Sequence, residues 1–140
     1  MSSTTTQWMV RPVGWVESEL DDVDAAPRQP DEGAPPATVR VLPQYRAALT
    51  GLSVGDELVL VTWLHHADRS TLTVHPRGDV DRPQAGVFAT RSPSRPNPLG
   101  LHVVELTAID GTTLIVDRLE AVSGTPVLDI KPVLGRVVAR

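Results

Sequence analysis

Short apolar runs separated by turn-forming residues make up most of this chain. Residues 57–66, ELVLVTWLHH, are an almost continuous run of β-branched and aromatic residues, which predicts a buried strand with a polar end. Residues 101–109 and 113–116 flank Asp110 and Gly111, a pair that favours a two-residue hairpin. Further short strands are predicted at residues 8–16, as an edge strand broken by proline and glycine, and at residues 39–42, 72–75, 86–90 and 127–131.

The fold class follows from these strands, because helical periodicity is scarce. Pro43 and Gly51 bracket one brief predicted helix. Alternation in the last strand places residues 128 and 130 on one face and residues 127, 129 and 131 on the other. We therefore expect a mainly β protein, a small antiparallel or mixed β-barrel with one or two short helices. Residues 1–8 are expected to be a flexible tail and residues 9–140 a single domain.

Composition narrows the classes of protein further. The chain has 140 residues, 41% of them hydrophobic, with no cysteine, so disulfides, thiolate metal sites and a thiol nucleophile are excluded. We find no apolar run long enough to span a membrane and no secretory signal, and we expect a cytoplasmic protein. The net charge of −4 means that any contact with RNA needs a local basic patch.

Residues 86–101, GVFATRSPSRPNPLGL, contain three prolines, two arginines and an asparagine within a few positions. Proline fixes its own backbone angle and restrains the residue before it, so this proline-rich stretch is predicted to be pre-ordered. Arg91, Arg95 and Asn97 could then grip a carboxylate, a phosphate or a ring edge. The alternative is that the two arginines only clamp neighbouring carbonyls and hold the loop.

Three other polar groups are candidates for chemistry. His65 and His66 end a strand, where adjacent side chains point to opposite faces, so no metal site is expected there. Asp129 and Lys131 share a strand face and could form an ion pair or meet separate partners. Glu120 precedes a glycine turn and could accept ribose hydroxyls or face solvent. The residues alone do not decide between these alternatives.

Two long motifs closely resemble a known family. GVFATRSP at 86–93 followed by RPNPLG at 95–100, and GTPVLDIKP at 124–132, resemble the signature of the TrmO/TsaA-like family. Shorter pieces agree in order, namely VG at 13–14, PRQP at 27–30 and WLH at 63–65. That family comprises tRNA threonylcarbamoyladenosine methyltransferases that use S-adenosylmethionine in a β-barrel. The resemblance covers residues 10–132, which is nearly the whole chain.

The resemblance implies a function and a set of site residues. It implies a homodimer that binds S-adenosyl-L-methionine near the subunit interface and methylates the modified adenosine beside the anticodon of tRNA. Carried over by motif, the cofactor-binding residues are Arg28, Gln29, Pro30, His65, His66, Arg91, Leu101, Leu119 and Glu120. For the acceptor we expect substrate-binding roles for Arg95 and Asn97 and catalytic roles for Asp129 and Lys131.

Three positions depart from the family pattern. Ser123 stands where the family usually has an acidic residue, Glu120 where it has aspartate, and Val133 where it has tyrosine. Two alternative functions follow from these departures and from the acidic balance of the chain. The first is a cofactor-binding module without catalysis, and the second is a methyltransferase with a small-molecule acceptor.

Overall fold

The computed structural model describes residues 6–18 and 36–135 and contains eight strands there. Their bounds are β1 (Gly14–Glu17), β2 (Ala37–Val41), β3 (Glu57–Trp63), β4 (Thr73–Val74), β5 (Ala85–Gly86), β6 (Leu99–Asp110), β7 (Thr113–Asp117) and β8 (Pro126–Pro132). Six of them close into an antiparallel barrel in the order β1-β2-β7-β6-β3-β8, and β4 pairs with β5 as a separate ribbon. The predicted β-barrel is confirmed.

The helical segments of the described residues are 3-10 turns. Pro43–Leu49 is the longest, and it packs Leu49 against the barrel, as the short helix predicted from Pro43 and Gly51. Residues 86–90 were expected to be a strand, but only Ala85–Gly86 pairs, and Val87–Ala89 is a 3-10 turn. Pro76–Gly78 forms another such turn. No helix within residues 6–18 and 36–135 is long and apolar enough to cross a membrane.

The core fills the barrel with inward-facing aliphatic side chains from all six strands. Successive side chains of a strand point to opposite faces, so β3 buries Leu58 and Leu60 while Val59 and Val61 face outward. Each fully buried leucine or valine contributes about 1.5–3 kcal/mol relative to its exposed state. The other inward residues with almost no exposure are Val16, Val39, Val104, Leu106, Leu114, Val116, Leu119 and Val127.

The predicted β6–β7 hairpin is present, with Asp110 opposite Thr113. Gly111 adopts φ of 61°, a left-handed conformation that glycine reaches without strain, which explains the tight turn. Further along, the register shifts between Leu106 and Ala108, and the hydroxyl of Thr107 donates a hydrogen bond to the Ile115 carbonyl at 3.1 Å. This bulge bends the hairpin into the barrel wall.

Two further strand predictions are wrong, each for a structural reason. The strand expected at residues 8–16 as a sheet edge is shorter, Gly14–Glu17, and is paired on both sides by β2 and β8. In β8, Val127 and not Leu128 is the buried residue, and Ile130 packs on the same core. Opposite Val61 and Thr62, a bulge inserts one extra residue into β8 between Val127 and Ile130. Strict alternation of inward and outward side chains therefore fails in this strand.

Candidate functional site

A cavity opens at the end of the barrel where β3 leaves the sheet and three loops meet. The empty space within it is about 670 Å³, a figure that includes space open to solvent. Its walls are mainly apolar, with a few imidazole, hydroxyl and carboxyl groups. The lining residues are Leu64, His65, His66, Ala67, Pro93, Ser94, His102, Glu120, Ala121, Val122 and Thr125.

The first wall is the turn that follows β3, here called the histidine loop (residues 64–70). The rings of His65 and His66 lie with their centroids 3.9 Å apart, and both line the cavity. The prediction that they point to opposite faces is therefore wrong, because the strand ends at Trp63 and the chain turns. Desolvation, with a smaller repulsion from His66, lowers the pKa of His65, so this ring favours its neutral form.

The second wall is the proline loop (residues 90–98), and Arg95 holds it together. Its guanidinium donates hydrogen bonds to the carbonyls of Ser92 at 3.0 Å, Thr90 at 3.2 Å and Val87. Ser92 adds a second brace, since its hydroxyl accepts from the Ser94 amide at 3.2 Å. These hydrogen bonds match the alternative stated from the sequence, in which an arginine binds neighbouring carbonyls and holds the loop. The prediction that Arg95 binds substrate stays a prediction.

The histidine and proline loops are tied to each other by Arg69, a residue the sequence analysis did not single out. Arg69 donates from Nε to the Pro96 carbonyl at 2.8 Å and from Nη2 to Asn97 Oδ1 at 3.1 Å. Its guanidinium also lies 5.0 Å from the centroid of the Trp63 ring. The Arg95 amide completes the link by donating to the Asp68 carbonyl at 3.0 Å. The two walls therefore form one braced unit.

The third wall is the segment between β7 and β8, here called the glycine-turn loop (residues 118–125). Arg118 opens it with φ of 60°, a left-handed conformation that is costly for a residue with a side chain. Leu119 is then buried in the core and Glu120 lines the cavity. Thr125 closes the turn by donating its hydroxyl to the Val122 carbonyl at 2.7 Å. The loop brings one carboxylate to the same cavity as the two histidines of the first wall.

The floor of the cavity contains His102, which the sequence analysis missed. His102 occupies an inward position of β6, in the row that includes Gly100, Val104 and Leu106. Burial lowers the pKa of His102 to about 4, so its imidazole is neutral at neutral pH. Its Nε2 lies 2.8 Å from Oγ1 of the buried Thr62. The available signal was a polar residue within an inward-facing apolar row.

Gly100 makes the contact between Thr62 and His102 possible. It lies directly opposite Thr62 in the β3–β6 register. A Cβ at this position would come within 2.5 Å of Thr62 Oγ1 and 2.8 Å of His102 Nε2. Glycine is therefore required here by close approach of two side chains, while its backbone angles are those of the strand.

The structure brings only part of the predicted site together. His65, His66 and Glu120 line the cavity, and Leu119 lies buried beside it. Arg91 and Leu101 are exposed and do not line it, with Leu101 on the outer face of β6. Asp129 and Lys131 form an exposed ion pair at 3.3 Å, and Asn97 accepts from Arg69. Arg28, Gln29 and Pro30 lie outside the described residues. No group of three or more metal-ligating side chains occurs in the described part of the chain.

Comparison with known proteins identifies the family. The family model for the tRNA-methyltransferase O N-terminal domain matches residues 15–137. The chain therefore belongs to this family, and the resemblance drawn from its motifs is confirmed. A protein from Methanothermobacter thermautotrophicus named a probable S-adenosyl-L-methionine-binding protein is 42% identical over 88% of this chain and 88% of its own length. A probable S-adenosyl-L-methionine-binding protein of Halobacterium salinarum is 41% identical over 88% of this chain and 96% of its own length.

Solved structures agree with the family assignment. The crystal structure of TrmO from Pseudomonas aeruginosa is 32% identical, with a TM-score of 0.76, and covers 96% of this chain. A second TrmO crystal structure is 33% identical, with a TM-score of 0.76, over 96% of this chain. This chain spans about three fifths of their length, 61% and 60% respectively.

Proposed function

We propose that this protein binds S-adenosyl-L-methionine in the cavity and is a methyltransferase acting on N6 of threonylcarbamoyladenosine in tRNA. One observation carries the proposal. Two separate loops bring His65, His66 and Glu120, which the motifs assign to the cofactor, to the walls of one cavity. The family and the names of the relatives support the same ligand.

The residues present fit such a ligand. Apolar side chains, among them Leu64, Ala121 and Val122, offer surface for an adenine ring and an aliphatic chain. Glu120 supplies a carboxylate, which suits either ribose hydroxyls or a positively charged sulfur. When bound, the cofactor supplies an electrophilic methyl group on that sulfur. In this proposal Arg28, Gln29, Pro30 and Arg91 complete the set of cofactor-binding residues, as the motifs imply.

The protein's own contribution to such a reaction is alignment and exclusion of water. The bonds of Arg69 and Arg95 serve this purpose, because they fix two cavity walls before any ligand arrives. We assign the acceptor to the outer side of the same loops, where Asn97 and the proline loop face solvent. Lys131 and Asp129 are proposed to contact the acceptor from β8.

We further propose that two copies of the chain form a homodimer through the outer face of β3 and β6. Leu99, Leu101 and Val103 form an apolar row on β6 and are 46%, 54% and 47% exposed. The register places them beside Trp63, Val61 and Val59 of β3. Covering this row removes apolar surface from water, which favours association. Leu101, which the motifs assign to the cofactor site, would then lie in the interface.

The direct test is to incubate the protein with S-adenosylmethionine and tRNA carrying threonylcarbamoyladenosine, and to weigh the digested nucleosides. We expect the mass of one methyl group on that nucleoside. No gain, with cofactor binding shown by calorimetry, would favour the cofactor-binding module or a small-molecule acceptor. Binding of tRNA that weakens steeply with salt would separate the tRNA enzyme from an enzyme with a small acceptor.

Two substitutions divide the roles within the proposed site. Arg91→Ala is expected to lower cofactor affinity in calorimetry, and unchanged affinity would remove Arg91 from the cofactor site. Lys131→Ala is expected to reduce turnover with cofactor binding kept. Arg46→Ala is the matched control, because Arg46 is exposed and its guanidinium lies near Gly111, at the hairpin end of β6 away from the cavity. Full activity of Lys131→Ala would remove the acceptor role from Lys131.

A further inference from the structure

The two ring nitrogens of His102 differ, because one has a hydrogen-bond partner and the other has none among the described residues. Nε2 is hydrogen-bonded to Thr62 Oγ1 at 2.8 Å. Nδ1 is buried and has no hydrogen-bond partner among the described residues. His102 also lines the cavity, together with Glu120, His65 and His66. A buried nitrogen without a protein partner at the wall of a cavity is expected to have a partner in whatever fills the cavity.

The hydrogen on the ring can be assigned from Thr62. The Thr62 side chain is fully buried, and its hydroxyl has no bonding partner other than His102 within the described ranges. If Nε2 carried the hydrogen, the hydroxyl proton would be buried without an acceptor. If Nε2 accepts, the hydroxyl is satisfied and the neutral ring carries its hydrogen on Nδ1. The second arrangement leaves one donor, Nδ1–H, facing the cavity.

We propose that Thr62 fixes His102 as the Nδ1–H tautomer and that His102 donates this hydrogen to an uncharged acceptor atom of the nucleoside bound in the cavity. The proposal rests on the proposed function, since the nucleoside is that of S-adenosylmethionine. A neutral donor suits this ligand, because an imidazolium in the same place would repel a sulfonium. Gly100 is part of the same arrangement, because its lack of a side chain leaves room for the Thr62–His102 contact. His102 is thus a ligand-binding residue and Thr62 a positioning residue.

The tautomer is measurable in the protein without ligand. Long-range proton–nitrogen NMR spectra of 15N-labelled protein distinguish Nδ1–H from Nε2–H rings, and the spectrum of His102→Asn identifies which of the four histidines is His102. We expect the Nδ1–H form in the wild type. Thr62→Val, which keeps the shape of the side chain and removes the hydroxyl, is expected to allow a mixture of the two forms. A wild-type ring protonated on Nε2 would overturn the proposal.

The ligand half of the proposal is tested by calorimetry with S-adenosylhomocysteine, a stable analogue. His102→Leu, which has no donor, is expected to bind at least tenfold more weakly than the wild type. His102→Asn, whose amide N–H can take the place of Nδ1–H, is expected to lose less. His75→Asn is the control, because the His75 ring is bonded to the Arg82 carbonyl and does not line the cavity.

The outcomes separate the two proposals. A wild type that does not bind S-adenosylhomocysteine refutes the proposed cofactor, and with it the ligand assigned to His102. A wild type that binds, with His102→Leu binding equally well, refutes the His102 assignment alone. Circular dichroism and urea unfolding of each variant establish that it is folded. On binding, the His102 nitrogen signals are expected to shift in the wild type, and unchanged signals would also count against the assignment.

Discussion

Acidification should destabilise this protein through His102 more than through any other histidine that the structure describes. Burial lowers the pKa of His102 from 6.5 to about 4 in the folded protein. Between these two values the unfolded chain binds one proton more than the folded chain, so the free energy of unfolding falls as the pH falls. At about 1.4 kcal/mol for each pH unit, the full loss is about 3 kcal/mol. Below pH 4 this group has no further effect.

The measurement compares urea unfolding of the wild type and His102→Leu at pH 7 and at pH 4.5. His65, His66 and Glu120 line the same cavity and are present in both proteins, so the difference between the two curves isolates His102. We expect the wild type to lose about 2–3 kcal/mol more than the variant, because leucine does not titrate. Equal losses in the two proteins, with unchanged m-values, would refute a buried neutral His102.

Three further outcomes are expected. Gly100→Ala should destabilise the fold by about 1–3 kcal/mol in urea, because its Cβ collides with Thr62 and His102. Gly86→Ala, whose nearest neighbour would be 4.0 Å away, is the control and should be nearly neutral; equal effects would contradict the close approach. Arg95→Ala should lower both the melting temperature and the cofactor affinity, since three carbonyls lose the hydrogen bonds that Arg95 donates; lowered affinity with unchanged stability would favour direct ligand contact instead. Leu101→Arg should convert a dimer to a monomer in sedimentation, and a wild type that is already monomeric would refute the proposed interface.

Strand positions could be predicted because apolar alternation and turn residues are local signals. The hairpin around Gly111 and the buried β3 were found in this way. The orientation of β8 was not, because the bulge opposite Val61 and Thr62 depends on the register of two strands far apart in sequence. A one-residue insertion in a strand changes which side chains face the core. The sequence of residues 126–132 contains no signal that predicts this insertion.

The candidate site was likewise predicted only in part from the sequence. His65, His66 and Glu120 were found through motif resemblance, and the cavity brings them together. Arg69 was missed because its acceptors, on Pro96 and Asn97, lie 27 and 28 residues further along the chain. His102 was missed although it carries a local signal, a polar side chain on the inward face of β6. A search for such residues would have found it without the structure.

The closure of the barrel has a consequence for how the chain folds during synthesis. β8 pairs with both β1 and β3, so these two strands each have a bare edge until residues 126–132 have emerged. The glycine-turn loop immediately precedes β8 and is bonded to β1 through the Gly124 amide and the Val16 carbonyl. A nascent chain that stalls before residue 126 therefore exposes two sheet edges that favour aggregation. Protection of these edges therefore arrives only with the last strand, after every residue that lines the cavity has been synthesised.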